Sequence, residues 1–532
     1  MGVPKKAVTH SGNEIYKTLS NNVNPRWIKD PGLRALNLSI AMMFASAAAN
    51  GYDGTLINGL LSNSQFKANL GDISSELLGI ITAGLSLGGT PIFIPASYLG
   101  DYLGRRKTVA IGASLMLMAS VIQAATSGPY AFLGTRIMMG IGLAFSQISA
   151  PPLTTELAHP KHRGNITNMF QAIWYWGAIL CACITLGTLY VNSTWSWRIP
   201  CLLQLFFPAL QLVGLLFVPE SPRWLISKDR HAEALQILAT YHANGQVDDE
   251  LVQFEYQEIC ETLEMERLGG KRASGWSAFL RTSGNRHRFF ICIITGFMIN
   301  WAGNGIVSYY LSPILDTVGI TDPVSQNCIN LGLQCWNAIL AAMGALAAER
   351  YGRRPLWLLS ASGMLFSLGI VTALSATFAQ QGNTAAGTAV VPMLYIFFGF
   401  YDIAFTPLSI SYIVEILPFH LRAKGLSANL TAVFGANFFN QYVNPIALAS
   451  IHWRLYFLYI GTLSAMIPII YFFFPETKGR TLEEIATVFD GSAAEPDIFR
   501  RASIAVAETG SAREEVIRTA QSFVKIEQDS LR

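Results

Sequence analysis

Asp53 and Arg136 are opposite charges set inside long apolar stretches of the sequence. A charge placed there is costly and marks function by default. An adjacent guanidinium favours an ionised acid, whereas burial favours a neutral one. A carboxylate held between those influences can take up or release a proton when its surroundings change. Asp402 is a further acid in an apolar stretch; it could contact a solute, serve as a second proton site or cap a local hydrogen-bond network. The sequence contains no HExxH, Walker loop, GxSxG or dinucleotide-type glycine motif in a suitable setting. Its eight histidines include no close pair within an apolar run, and the seven cysteines follow neither a disulfide nor a zinc pattern. The expectation is a protein that is not an enzyme and has no metal or cofactor.

The elements that must position these charges are membrane spans. Of 532 residues, 51% are hydrophobic and 13% charged, about half the charged share of an ordinary soluble domain; the mean hydropathy is +0.36. A helix needs about 20 apolar residues to cross ~30 Å of hydrocarbon. Twelve such runs are read at roughly 36–58, 78–98, 108–126, 130–150, 167–190, 197–218, 289–312, 326–348, 355–378, 389–412, 424–448 and 453–474. In lipid every backbone N–H and C=O must be satisfied internally, so these runs are helices. The expected fold is an all-α membrane protein. No secretory signal peptide is read ahead of the first run.

Charge placement gives the topology. Lys5, Lys6, Lys17, Arg26, Lys29 and Arg34 precede the first run, and Arg105, Arg106, Lys107, Lys161 and Arg163 fall in alternate connections. Arg350, Arg353, Arg354, Arg422 and Lys424 continue the alternation. The positive-inside rule then places both termini in the cytosol. At ~1.5 Å per residue, Asp53 near the outer end of the first helix and Arg136 near the outer end of the fourth lie at matching depth, roughly 8–9 Å below the outer surface. They can pair if those helices touch.

The chain also repeats itself. Gly100-Asp101-Tyr102-Leu103-Gly104-Arg105-Arg106 follows helix 2, and Glu349-Arg350-Tyr351-Gly352-Arg353-Arg354 follows helix 8. Glu156 precedes Arg163 as Glu415 precedes Arg422; Pro219-Glu220-Ser221 closes one half as Pro475-Glu476-Thr477 closes the other. Each motif returns six helices later, so both copies keep one orientation, with a solute site expected between two rocking halves. The expected organisation is a segment 1–35, a six-helix bundle over 36–218, a cytosolic linker with short helices over 219–288, a second six-helix bundle over 289–474 and a tail over 475–532.

These motifs, with Gly51-Tyr52-Asp53 and Gly134-Thr135-Arg136, resemble the sugar porter family of the major facilitator superfamily from Gly51 to Glu484. The helix-7 wording Asn300-Trp301-Ala302-Gly303-Asn304, with Tyr309-Tyr310, is most similar to the fungal lactose and cellodextrin permeases. The resemblance implies that Asp53 is the protonation site and Arg136 its partner. It implies solute contacts from Gln171, Asn300, Asn304, Tyr309, Tyr310, Asn337, Asn437, Asn440 and Gln441, although each amide could instead join two helices. It also implies a latch of ion pairs, with Asp101, Arg105, Arg163 and Glu220 in one half and Glu349, Arg353, Arg422 and Glu476 in the other; the alternative is that the arginines only anchor topology. Ile299-Asn300 stands where hexose porters carry tandem glutamines, and Ile410 where they carry tryptophan, so a differently shaped sugar is expected. The reading is a monomeric plasma-membrane symporter of a proton and a disaccharide of lactose or cellobiose type, with lipid around it and no nucleic-acid partner. A hexose or pentose facilitator, a carrier of another metabolite and a sugar sensor are the alternatives. The sequon Asn192-Ser193-Thr194 faces outward in this reading.

Overall fold

A computed structural model describes residues 19–24, 27–71, 74–161, 163–268, 276–478, 485 and 488–489. Within its helices the side chains of 164, 165, 167, 168, 171, 265–268, 349, 419, 420 and 423 lie outside that description. The tail from 490 onward lies outside it as well.

Among the described residues twelve long helices cross the molecule, as the hydropathy requires. They are α1 (Pro31–Leu61), α2 (Ser75–Leu103), α3 (Arg105–Ala125), α4 (Pro129–Leu157), α5 (Arg163–Thr188) and α6 (Trp195–Leu215), then α7 (Ser283–Thr317), α8 (Pro323–Tyr351), α9 (Arg353–Gln381), α10 (Thr384–Ile416), α11 (Phe419–Ile451) and α12 (Leu455–Phe473). Among the described residues ten stretches are apolar enough to span by themselves; the last of them, Lys424–Phe473, contains two helices. Helix α7 begins at Ser283, before the apolar run at 289, because Arg286, His287 and Arg288 continue the helix beyond the hydrocarbon-like segment. Apolarity marks where lipid would begin, whereas the helix itself begins at its Thr282 cap, which accepts from Asn285 N.

Local sequence sets the other ends in the same way. Asp30 caps α1 ahead of Pro31, and Asp322 caps α8 ahead of Pro323. The turns α2–α3 and α8–α9 each pivot on a glycine, Gly104 at φ 100° and Gly352 at φ 99°. Any side chain there would be strained and would also strike a carboxylate, Glu220 or Glu476.

Helices Pro222–Ser227, His231–His242 and Glu250–Leu268 follow α6, and the latter two meet the α4–α5 connection through His242 against Leu157 and His159 and through Glu255 against Arg163. Several spans are broken. Helix α7 is interrupted at Gly303 (φ 98°) and has a non-helical Tyr310; α10 changes course before Pro407; α2 passes through a 3-10 turn at Thr90–Ile92. Breaks at membrane depth are tolerated where they line a protected interior. Helices α2 and α11 pack along the boundary between the halves, with Phe93 against Phe434 at 4.5 Å between ring centroids.

Candidate transport site

Asp53 and Arg136 come to rest at the interior of the first bundle, 3% and 1% exposed. No direct ion pair joins them. Gln204, at the break in α6, inserts its side chain and donates to Asp53 Oδ1. The Nε and Nη1 of Arg136 have no hydrogen-bond partner among the described residues. The pairing that the sequence allows is not seen; Asp53 takes an amide contact instead. The two groups still lie within electrostatic reach of each other. Two buried charges near one another without direct contact form a costly arrangement that a small rearrangement can resolve.

The expected solute contacts fall into three groups. At the boundary, Asn437 Nδ2 donates to Ser86 Oγ of α2 at 3.1 Å and to Tyr309 Oη at 3.4 Å, while Ser86 Oγ donates to Gln441 Oε1 at 3.4 Å. Tyr310 Oη donates to the Gln441 carbonyl at 2.6 Å. The Asn437 Oδ1 and, at the α7 break, the Asn304 Oδ1 are buried and unpartnered among the described residues. These two amides keep free acceptors, as a hydroxylated solute requires.

The second group is structural. Asn300 Nδ2 donates to the Val433 carbonyl at 3.0 Å, and Asn440 Nδ2 donates to the Asn300 carbonyl at 2.9 Å and to Tyr459 Oη at 3.1 Å. Asn440 Oδ1 accepts from Asn444 at 2.7 Å. Asn300 and Asn440 thus join α7, α11 and α12 here, as helix-joining amides do.

The third group centres on Asp402, 1% exposed. Tyr175 of α5 donates to its Oδ1 at 2.6 Å and Thr406 donates to the same oxygen at 2.7 Å. Asn337, with its amide oriented to satisfy both of its atoms, donates to Oδ2 at 3.1 Å. Tyr175 crosses from the other half, and its aromatic spacing in an apolar run gave no sign of this contact. Gln171 lies on α5 with its side chain outside the described residues.

At the face carrying the α2–α3 and α8–α9 turns the two halves build related clasps. Arg353 holds Glu415 through Nε and Nη2 at 2.7–3.2 Å, and Thr477 Oγ1 donates to the same carboxylate at 2.5 Å. In the first half Ser221 Oγ donates to Glu156 at 2.5 Å. The Arg353 partner, Glu415, lies outside the expected set; the Glu349 side chain lies outside the described residues. Arg105 pairs with Asp101 one turn away at 2.6 Å. Arg163 pairs outside the expected set, with Glu255 of the linker at 2.9 Å, and His242 Nδ1 lies 2.7 Å from the same carboxylate. Arg422 sits half-buried at the start of α11, facing the charge of Arg223.

Glu220 and Glu476 receive backbone N–H groups: Arg106 and Ser221 donate to Glu220, and Arg353, Arg354, Thr477 and Lys478 to Glu476. Burial pushes the Glu220 carboxyl above the usual range despite its donors. Burial also opposes ionisation of Glu476, but its four donors outweigh it and hold the carboxyl below that range.

The family described as "Sugar (and other) transporter" matches residues 38–489. The MFS-type transporter oryC of Aspergillus oryzae is 29% identical over 449 residues, covering 82% of this chain and 82% of that protein. Hexose transporter 2 of Kluyveromyces lactis is 28% identical over 466 residues, covering 83% and 80%. Among solved structures, the partially occluded inward-open xylose transporter XylE from E. coli superposes with a TM-score of 0.70 at 21% identity, over 84% of this chain and 100% of that one. The proton:xylose symporter XylE bound to 6-bromo-6-deoxy-D-glucose gives 0.69 at 22% identity, over 86% and 99%. Neither curated relative carries a lactose or cellodextrin description, so the branch read from helix 7 is finer than these likenesses.

Proposed function

Since this chain belongs to the sugar transporter family, we propose that it imports a disaccharide of lactose or cellobiose type together with a proton, by alternating access between its two bundles. The observation that carries the reading is the placement of Asp53 and Arg136. A carboxylate and a guanidinium are buried near one another in one bundle, with Asp53 bound by the Gln204 amide and two Arg136 nitrogens left unpartnered among the described residues. Withdrawal of Gln204 would let the charges meet, and its return would separate them. Asp53 is therefore able to exchange a proton as α6 moves against α1 and α4.

The sugar sits between the bundles. The free acceptors of Asn304 and Asn437, with the Tyr309 hydroxyl, provide hydroxyl contacts beside Ser86. Gln171 of α5 is a contact from the opposite half, and Asn337 reaches the sugar through the Asp402 group. A disaccharide is favoured over a single hexose by Ile410 and by Asn300, which binds backbone where a hexose porter presents a glutamine. The working unit is a monomer in the plasma membrane with its termini in the cytosol, and the 219–288 linker clasps the cytosolic ends of α4 and α5. Hexose transport is the second reading, supported by the hexose transporter among the relatives.

Uptake of radiolabelled lactose, cellobiose and glucose in hexose-transport-null yeast at pH 5 and pH 8 tests this. The expected result is acid-stimulated accumulation of a disaccharide that Asp53→Asn abolishes, with surface expression retained. Uptake that only equilibrates, indifferent to pH, would leave a facilitator; glucose alone as cargo would leave the hexose reading.

A further inference from the structure

Helix α8 carries amides at Asn327, Asn330, Gln334 and Asn337, a spacing of three and four residues that places them on one face. The stripe runs about 15 Å along the helix axis at 1.5 Å per residue. Its lower end, Asn337, belongs to the Asp402 group. The upper members face the first bundle. Asn327 Nδ2 donates to Ser62 Oγ at 2.5 Å, Asn58 Nδ2 donates to Asn330 Oδ1 at 3.3 Å, and Gln334 Nε2 donates to the same oxygen at 3.3 Å. Ser312 of α7 closes the group by donating to the Asn58 carbonyl at 3.4 Å.

These side chains are at most 6% exposed, yet four of their polar atoms have no hydrogen-bond partner among the described residues: Asn58 Oδ1, Asn327 Oδ1, Asn330 Nδ2 and Gln334 Oε1. Each such atom is expensive in an interior. Helix packing alone would be served better by apolar residues of the same shape. Above the stripe lies a pocket of about 200 Å³ lined by Ser62, Asn63, Gln65, Asn192 and Ser196 beside Val324. Ser62 belongs to both, so the polar surface continues from the mouth between α1, α5 and α8 to the Asp402 group.

We infer that Asn58, Asn327, Asn330 and Gln334 form a second hydroxyl-binding subsite between the mouth and the central site, which holds the distal ring of the disaccharide. The inference rests on the disaccharide reading above. In the arrangement seen here the subsite is shut, with its amides paired across the boundary. When the bundles part at this end, the cross-pairs break, and both donors and acceptors turn toward the solute. The unpartnered atoms comprise three acceptors and one donor, a set that sugar hydroxyls, which donate and accept, can satisfy.

The test is cellobiose uptake in the same yeast, with unlabelled cellobiose and glucose as competitors, for wild type, Asn330→Leu and Gln334→Leu. A fluorescent tag reports surface expression, and the isosteric Gln334→Glu, which lacks the amide donor, provides the readout if a leucine variant does not reach the surface. The expected result is a half-inhibitory cellobiose concentration raised about tenfold, against a shift below twofold for glucose, since one lost pair of hydrogen bonds is a tenfold effect. Equal shifts for both sugars, or none for either, would overturn the subsite. Wild type that imports glucose but no disaccharide would instead contradict the disaccharide reading and remove the subsite with it.

Discussion

A single methyl group is enough to separate the helices at several points. Gly140 of α4 lies so close to α2 that a Cβ would overlap the Leu85 carbonyl oxygen, and Gly51 of α1 is in the same position against Trp174 of α5. Without a hydrophobic force between helices in lipid, such close backbone approach is a main source of packing energy. Gly134, two residues before Arg136, has nothing within 4 Å of a built Cβ. Gly140→Ala is therefore expected to cost about 1–3 kcal/mol through forced separation of α2 and α4, whereas Gly134→Ala leaves stability unchanged. Thermal unfolding of the purified protein, followed by fluorescence-detected size exclusion, checks the pair. Similar melting temperatures for the two variants would show that the α2–α4 approach is not close. Gly134 and Gly140 lie six residues apart in the same apolar run, and nothing in their spacing distinguishes the packed one from the open one.

The motif turns act as elements, each tying the ends of three helices. Their two carboxylates differ in one way that can be measured. Glu476 is held ionised by four N–H groups, whereas burial keeps Glu220 above the usual range. A carboxyl whose pKa falls on folding stabilises the native state above its unfolded pKa, and that contribution is lost as pH drops through the lowered value. A carboxyl whose pKa rises does the reverse, and its ionised form costs stability as pH increases. Glu476→Gln is thus expected to lower the melting temperature at pH 7 by about 1 °C, the scale of a 1 kcal/mol loss in a chain of this length. The deficit closes as pH falls below about 4.3, the usual glutamate value. Glu220→Gln has a smaller effect at pH 7. Melting curves for both variants from pH 2.5 to pH 8 check the signs, and a pH-independent deficit for Glu476→Gln would show that its charge is irrelevant.

Much of this level was legible in the sequence. Lipid leaves only helices, so apolar length alone counts the spans, and the motif duplication gives the two bundles. Partner choice was not legible. Arg353 takes Glu415, sixty-two residues away, because the end of α10 lies against the start of α9. Gln204 donates to Asp53 because α6 breaks where that side chain can reach the carboxylate. Tyr175 reads as one more aromatic in an apolar run until α5 and α10 are set side by side.

At the scale of the whole molecule the contacts between bundles lie along one path. They run from Ser62–Asn327 and Asn58–Asn330 near the face opposite the α2–α3 and α8–α9 turns to Ser86–Asn437 and Tyr175–Asp402 farther in. Each is a neutral hydrogen bond or a bond to one carboxylate, worth about 0.5–1.5 kcal/mol net when neutral. The seam is thus held by several small interactions that a solute can replace, as a ligand shifts a population between two states. Transport, in this account, exchanges cross-bundle hydrogen bonds for bonds to sugar while Asp53 exchanges its proton.

The most direct measurement of that coupling uses purified protein in liposomes loaded with a pH-sensitive dye, with no initial pH gradient. Adding the transported sugar outside is predicted to acidify the lumen as sugar enters. Asp53→Asn is predicted to abolish the acidification while still exchanging labelled for unlabelled sugar. Sugar entry by the wild type with no change in luminal pH would contradict proton coupling and leave Asp53 a structural acid.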